Sequence, residues 1–94
     1  MTKITKITAK DLPHEADDML KGIEKGQPYP FPKDGTEFMN YERLLPIKES
    51  NYYMEFTVPT PNVTKRGAKR IVAGKSGEIY YTDDHYQTFK EVIR

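Results

Sequence analysis

The clearest pattern of hydrophobic and polar positions lies between Pro13 and Gly26. Apolar residues recur there at the i, i+3, i+4 and i+7 spacing that places side chains on one face of an α-helix. These residues are Ala16, Met19, Leu20 and Ile23. Pro13 suits the first position of a helix, and Gly26 is a typical residue at a helix C-terminus. The pattern predicts one amphipathic helix whose apolar face covers a sheet.

The second half of the chain has the alternating pattern of β-strands. Over residues 52–58, apolar side chains alternate with a set that includes Glu55, which predicts one apolar and one polar face. Pro59 and Pro61 end this strand. Residues 4–9 are β-branched and predict a weak first strand or a tethered arm. Further strands are predicted at residues 69–73, 78–81 and 88–93.

The order of these elements predicts the fold class. Between the helix and the strands, residues 26–50 are expected to be rich in loops, because alternating prolines and aromatics at 28–32 suit an extended segment outside a sheet. One helix followed by hairpin-connected strands predicts an α+β fold, with one N-terminal helix packed on a twisted antiparallel sheet. The 94 residues suffice for a single domain with a modest core, which we place at residues 1–94.

Composition and charge narrow the classes of function. No apolar run has the length of a transmembrane helix, and the basic N-terminus precedes no hydrophobic stretch, so we expect no signal peptide in this sequence. The absence of cysteine excludes disulfides and thiolate metal sites. Residues 59–77 hold five Lys and Arg and no acidic residue, whereas residues 11–24 hold five Asp and Glu and a single Lys. This distribution fits either a binding surface for a polyanion or a solvated strand and turn.

Glu55, Arg66 and Arg70 are candidates for a shared site. Arg66 and Arg70 are an even number of residues apart, so an extended chain would point both to one face. If their strand pairs with that of Glu55, the three side chains lie together. One interpretation is a cross-strand salt bridge on a solvated sheet. The other is a carboxylate base beside two guanidinium groups, which bind phosphate through fixed, always charged donors.

His85 is the candidate acid. An imidazole can give and take a proton near neutral pH, and the carboxylates that precede it could hold it in the protonated form. With Glu55 and the two arginines, it completes the set needed for metal-free cleavage of a phosphodiester that has a neighbouring hydroxyl. The two histidines are far apart and no carboxylates cluster at ligand spacing, so we predict no metal and no cofactor.

Segments spread from Leu12 to Ile93 resemble the barnase-type microbial ribonucleases, and are most similar to the small guanyl-specific ribonucleases of actinomycetes. The matching segments are Leu-Pro-His-Glu-Ala (12–16), Asp-Gly-Thr-Glu-Phe-Met-Asn-Tyr-Glu (34–42), Tyr-Tyr-Met-Glu-Phe-Thr-Val (52–58), Arg-Gly-Ala-Lys-Arg-Ile (66–71) and Asp-His-Tyr-Gln-Thr-Phe (84–89). The resemblance implies the microbial ribonuclease fold and an endoribonuclease that acts on single-stranded RNA.

The resemblance also implies a role for each catalytic candidate. Glu55 would take the proton of the ribose 2′-hydroxyl, and His85 would protonate the leaving 5′-oxygen. Arg66 and Arg70 would hold the scissile phosphate. The product would be a 2′,3′-cyclic phosphate, which is then opened to a 3′-phosphate.

A second group of residues would bind guanine. Glu42 would accept hydrogen bonds from N1 and the amino group, the backbone near Asn40 would bond O6, and aromatic rings would sandwich or border the base. The residues assigned to this binding site are Phe38, Met39, Asn40, Tyr41, Glu42 and Tyr86.

The resemblance also bears on the biological setting. It implies a secreted or exported monomer with no membrane association, and a barstar-like protein inhibitor as a partner. Relatives usually carry a basic residue where this chain has Tyr41, and the actinomycete enzymes have a disulfide that this chain lacks. Two alternatives are the toxin domain of a larger delivered protein with an acidic immunity partner, and an inert RNA-binding relative.

Overall fold

Six strands form a single sheet in the computed structural model, which describes residues 4–93. The extreme ends of the predicted domain, residues 1–3 and 94, lie outside the described residues. The elements in chain order are β1 (Thr5–Thr8), a 3₁₀ turn (Ala9–Asp11), α1 (His14–Glu24), β2 (Thr36–Glu37), β3 (Tyr53–Thr57), β4 (Arg70–Gly74), β5 (Ile79–Thr82) and β6 (Lys90–Ile93). The predicted α+β class is confirmed, with one helix packed on a mostly antiparallel sheet.

The strand order is β1-β6-β5-β4-β3-β2. All neighbours are antiparallel except β1 and β6, which run parallel with Thr5 opposite Lys90. The weak strand predicted at residues 4–9 therefore forms, and its pairing with β6 is the one parallel contact among the described strands of a sheet predicted to be antiparallel. The partner of β1 is the strand most distant in sequence, and no short-range pattern specifies the direction of such a pairing.

The helix packs on one face of the sheet through the stripe predicted for it. Ala16, Met19 and Leu20 are buried against Phe56 and Ile71. The helix covers this face alone, so the opposite face of the sheet is available to loops. That arrangement separates the main core from the side chains on the opposite face.

The opposite face is less polar than the alternation in β3 predicts. A second buried cluster covers it, made of Leu45, Tyr52, Tyr53, Val72, Tyr80 and Phe89. The hydroxyl of Tyr53 donates to the carbonyl of Pro46 at 2.6 Å, and burial raises the pKa of this tyrosine. The prediction of a polar face was wrong for this cluster because a tyrosine ring packs as an apolar group while its hydroxyl bonds the backbone of a covering loop.

Candidate active site

Glu55 lies at the centre of β3, on the face opposite the helix, where it is opposite Thr36 of β2 and Val72 of β4. Its Oε1 accepts a hydrogen bond of 3.1 Å from Nη2 of Arg66. The two side chains are 17% and 28% exposed, so the pair is shielded yet open to a ligand. The predicted pairing of the two strands and the meeting of these side chains are both confirmed by the geometry.

Arg66 reaches Glu55 from a loop. Arg66 and Arg70 were predicted to lie in one extended segment. In the structure β4 begins only at Arg70, and Gly67 turns the chain before it with a φ of +66°. The two arginines share a face because the loop folds back over β3. Nε of Arg66 donates to Oγ1 of Thr57 at 3.0 Å, which gives the guanidinium a second anchor.

Arg70 is buried, at 2% exposure, and none of the ion pairs found among residues 4–93 includes it. Its Nη1 donates to the carbonyls of Lys69 at 2.8 Å and Arg66 at 3.3 Å, and its Nε has no hydrogen-bond partner. The guanidinium carbon lies 6.0 Å from the ring centroid of Tyr86. A buried cation with a free donor is a site where an anion would be stabilised.

Tyr86 carries a second buried polar atom, its hydroxyl, which has no hydrogen-bond partner at normal distance but faces the Glu55 carboxylate. Burial, followed by the negative charge of Glu55, raises the pKa of Tyr86, so this hydroxyl keeps its proton as a donor. The ring centroids of Tyr86 and His85 are 5.0 Å apart. The free donors of Tyr86 and Arg70 would both be satisfied by the oxygens of one phosphate.

His85 is exposed on the loop between β5 and β6, and its backbone N–H donates to the carbonyl of Ala68 at 3.0 Å. This bond ties the loop to the chain that enters β4. His85 and Tyr86 both have positive φ values, 56° and 73°. Such backbone conformations are rare for residues other than glycine and cluster at functional sites.

Asp84 holds the His85 loop rather than the imidazole. Its carboxylate accepts hydrogen bonds from Thr82 Oγ1 at 2.7 Å, from the backbone N–H groups of Gln87 and Thr88, and from the Thr88 hydroxyl. Burial opposes the charge of this group, but the hydrogen bonds from Thr88, Thr82 and Gln87 lower the pKa of Asp84 to about 2. These bonds give Asp84 a role in the geometry of the loop that carries His85.

The loop at residues 38–42 forms the other wall. Asn40, with a φ of 55°, exchanges two hydrogen bonds with the backbone of Leu45, at 3.0 and 3.2 Å. Its side chain therefore closes the loop and is not available to a ligand, which leaves recognition to the backbone and to Glu42. Glu42 is exposed, as are Met39 and Tyr41.

A cavity of about 320 Å³ lies between these two walls. It is lined by Glu37, Phe38, Met39, Asn40, Tyr41, Glu42, Leu44, Glu55, His85, Tyr86 and Phe89. Every predicted site residue except Arg66 and Arg70 is in this lining. The two arginines lie beside it, Arg66 through its bond to Glu55 and Arg70 beneath the ring of Tyr86.

The aromatic lining favours one of the two predicted arrangements for a base. The rings of Phe38 and Tyr86 are in contact, with centroids 4.9 Å apart and planes 31° from parallel. Phe89 packs edge-on to Phe38 at 5.7 Å. A base cannot enter between rings that already touch, so it would be bordered by them rather than sandwiched.

Several site residues were missed by the sequence reasoning. Glu37, Leu44 and Phe89 line the cavity, and Thr57 holds Arg66 beside it. Only Thr57 had a usable signal, because it is two residues from Glu55 and so shares its face of the strand.

Residues 4–93 contain neither a metal-binding cluster nor a membrane-spanning helix. No group of three or more His, Asp or Glu side chains in that range is placed to hold a metal ion. The one α-helix there is too short and too polar to span a bilayer.

Comparison with known proteins matches nearly the whole chain. A family model described as ribonuclease matches residues 1–93. The guanyl-specific ribonuclease St of Saccharopolyspora erythraea is 53% identical over 83 residues, which are 88% of this chain and 82% of that protein. A structure of ribonuclease Sa2 with mononucleotides superposes with a TM-score of 0.97 at 42% identity, covering 100% of this chain and 98% of the other. Sa2 with guanosine-2′-cyclophosphate gives 0.92 at 44% identity, covering 97% of each chain.

Proposed function

The chain belongs to the ribonuclease family, and from that premise we propose that it is a guanyl-preferring endoribonuclease that cleaves single-stranded RNA. One observation carries the proposal. The carboxylate of Glu55 and the imidazole of His85 line the same cavity, with Arg66 bonded to Glu55 and Arg70 beside it. This is a base and an acid on two sides of a cationic phosphate site.

The first step is an internal transesterification. Glu55 accepts the proton of the ribose 2′-hydroxyl as its oxygen attacks the neighbouring phosphorus. The bond from phosphorus to the 5′-oxygen breaks, and His85 gives that oxygen a proton. The products are a 2′,3′-cyclic phosphate and a chain with a free 5′-hydroxyl. The reaction needs no added oxidant, reductant or cofactor.

Arg66, Arg70 and Tyr86 act on the phosphate itself. The phosphoryl oxygens gain negative charge as the 2′-oxygen adds, and donors already in place stabilise that charge without reorganising. Arg70 Nε and the Tyr86 hydroxyl are buried donors without partners in the free protein. Both donors would gain hydrogen bonds when the phosphate binds.

The second step opens the cyclic phosphate with water. The two groups exchange roles, because Glu55 has become the acid and His85 the base after the first step. His85 takes a proton from water, the hydroxide adds to phosphorus, and Glu55 returns its proton to the 2′-oxygen as that bond breaks. The product is a 3′-phosphate. Ribonuclease Sa2 has been solved with 3′-GMP, a nucleotide of this product class.

Guanine would be read by the 38–42 loop. The Glu42 carboxylate would accept from N1–H and the amino group, and backbone N–H groups near Asn40 would donate to O6. Adenine has an acceptor at N1, no amino group at position 2 and an amino group in place of O6. It would therefore leave the charged carboxylate without donors. The Phe38 and Tyr86 rings would support one edge of the base.

A direct test uses the dinucleotides GpC, ApC and UpC in parallel reactions with and without EDTA. We expect rapid cleavage of GpC alone, with guanosine 2′,3′-cyclic phosphate formed first and 3′-GMP later. No cleavage of any substrate would leave the inert RNA-binding alternative. Loss of GpC cleavage on adding EDTA would contradict the metal-free mechanism.

We also propose an exported protein with a small acidic inhibitor or immunity protein as its partner. Tyr41 and Met39, which line the site cavity, are 84% and 49% exposed and give such a partner an apolar contact surface at the cleft. Titration with a barstar-like inhibitor, read as loss of GpC cleavage, tests the partner. Activity in the medium rather than the cell pellet of the producing organism tests export.

A further inference from the structure

Asp34 and Thr57 form a buried hydrogen-bond chain that ends on the catalytic pair. Thr57 is 0% exposed and Asp34 is 7% exposed. Asp34 Oδ1 accepts from the Thr57 backbone N–H at 2.8 Å and from the Thr57 hydroxyl at 2.7 Å. Its Oδ2 accepts from the backbone N–H of Phe31 at 3.1 Å. Both carboxylate oxygens are thus engaged, and all three contacts are donations to Asp34.

The bond to Asp34 fixes the direction of the Thr57 hydroxyl. A hydroxyl has one proton to donate, and this proton is committed to the carboxylate. The oxygen can therefore only present lone pairs to other neighbours. Arg66 Nε donates to it at 3.0 Å. A freely rotating hydroxyl would also sample orientations in which its proton points at the N–H of Arg66. The bond to Asp34 excludes these orientations and keeps the oxygen lone pairs toward the guanidinium.

The hydroxyl also fixes the plane of the Arg66 guanidinium. A single contact, from Nη2 to Glu55 at 3.1 Å, would let the group rotate about that bond. The second contact, at Nε, holds the other edge. Two of the five N–H groups are then used for positioning, and the remaining three stay in a fixed plane beside the Glu55 carboxylate for a phosphate.

We propose that Thr57 and Asp34 are positioning residues that set Arg66, and through it Glu55, for phosphoryl transfer. The inference rests on the proposed ribonuclease function and adds two groups that touch neither the base nor the phosphate. They contribute to the transition state by keeping a donor in place, which is the condition for electrostatic stabilisation without reorganisation. Guanine binding, which uses the 38–42 loop, should be independent of them.

The test compares Thr57→Val with Thr57→Ser in the full chain. We expect Thr57→Val to lower kcat for GpC at least 10-fold and to change KM less than 3-fold. Thr57→Ser keeps the hydroxyl and should retain kcat within 3-fold. Val92→Ala, a core change on the helix face, is the stability control and should lower Tm without changing kcat at 25 °C.

A double-mutant cycle separates positioning from a general effect on the fold. In an Arg66→Ala background, Thr57→Val should change kcat less than 2-fold, because its effect passes through Arg66. Equal losses with and without Arg66, or a wild-type kcat for folded Thr57→Val, would overturn the positioning role alone. A wild-type protein that leaves GpC intact would overturn the proposed function and this inference together.

Discussion

Glu55 and Arg66 are joined by one hydrogen bond of 3.1 Å between Oε1 and Nη2, and the carboxylate is the more enclosed of the two. A cation at this distance has two opposing effects on a base. It stabilises the ionised form that can accept a proton, and it makes that form a weaker acceptor. In the proposed mechanism the cation would also contact the substrate phosphate, whose charge would offset that of Arg66 as the reaction proceeds.

The first prediction concerns the base. Glu55→Gln retains the shape and the contact with Arg66 but cannot accept the 2′-hydroxyl proton. We expect kcat for GpC to fall about 10²- to 10⁴-fold, the usual contribution of a general base. The acid limb of the pH profile should flatten while the basic limb, assigned to His85, remains. An acid limb that survives in Glu55→Gln would identify a different base.

The second prediction concerns two tyrosines, one whose hydroxyl donates a hydrogen bond at normal distance and one whose hydroxyl does not. The Tyr86 hydroxyl is buried without a partner, whereas that of Tyr52 donates to Glu78 at 2.6 Å. Tyr86→Phe should therefore leave Tm equal to or above that of the wild type and lower kcat about 10-fold, since one phosphate donor is lost. Tyr52→Phe should lower Tm and leave kcat unchanged. Thermal melts and GpC assays on both proteins decide the matter, and a clear loss of Tm in Tyr86→Phe would reveal a partner for its hydroxyl.

The third prediction concerns the choice of base. Glu42→Gln replaces one accepting oxygen with an amide donor that would face a donor of guanine. A hydrogen bond to a charged group contributes about 1.5–3 kcal/mol, so kcat/KM for GpC should fall roughly 10- to 150-fold. The value for ApC should change little. Glu49→Gln, at an exposed carboxylate outside the lining of the site cavity, is the matched control. An unchanged ratio of GpC to ApC cleavage would remove Glu42 from the specificity site.

The fourth prediction concerns stability at low pH. The pKa of Asp84 falls from 3.8 to about 2 on folding. A group with a depressed folded pKa stabilises the protein fully above its unfolded pKa and loses that contribution as the pH falls through the folded value. Asp84→Asn should therefore lower Tm at pH 7. The gap to the wild type should stay constant down to about pH 4 and close as the pH approaches 2, within the range given by those two values.

Asp83→Asn is the control for that experiment. The two aspartates are adjacent, but Asp83 is exposed and Asp84 accepts the four side-chain and backbone hydrogen bonds of the loop. Tm of Asp83→Asn should follow the wild type across the pH range. A gap for Asp84→Asn that persists at pH 2 would mean that the loop depends on something other than its charge.

Features encoded locally were predictable from the sequence. The helix repeats apolar residues at its own period, and the strands at 53–57 and 70–74 alternate at theirs. The meeting of Glu55 with Arg66 followed from the short connection between neighbouring strands. Each of these depends on contacts between residues close in sequence or in consecutive elements.

Features that depend on distant parts of the chain were not predictable. The cover over Tyr53 was not predicted, because nothing in the alternation within β3 indicates that the loop through Pro46 packs on that face. Asp34 appeared only as the first residue of a segment that matches the family, although it is bonded to Thr57, 23 positions away. Such contacts are specified by the shape of the folded chain, which the order of polar and apolar residues does not contain.

The parallel pairing of β1 with β6 has a consequence for assembly. Thr5 lies opposite Lys90, so the contact joins residues separated by nearly the whole chain, whereas β3, β4 and β5 pair with their neighbours. Contacts of long sequence separation require the closure of a long loop and form slowly. Only Ile7 of β1 is even partly buried, so little core depends on this strand. The amino-terminal strand is therefore the piece that we expect to join last, at the edge of a sheet that already contains the catalytic cleft.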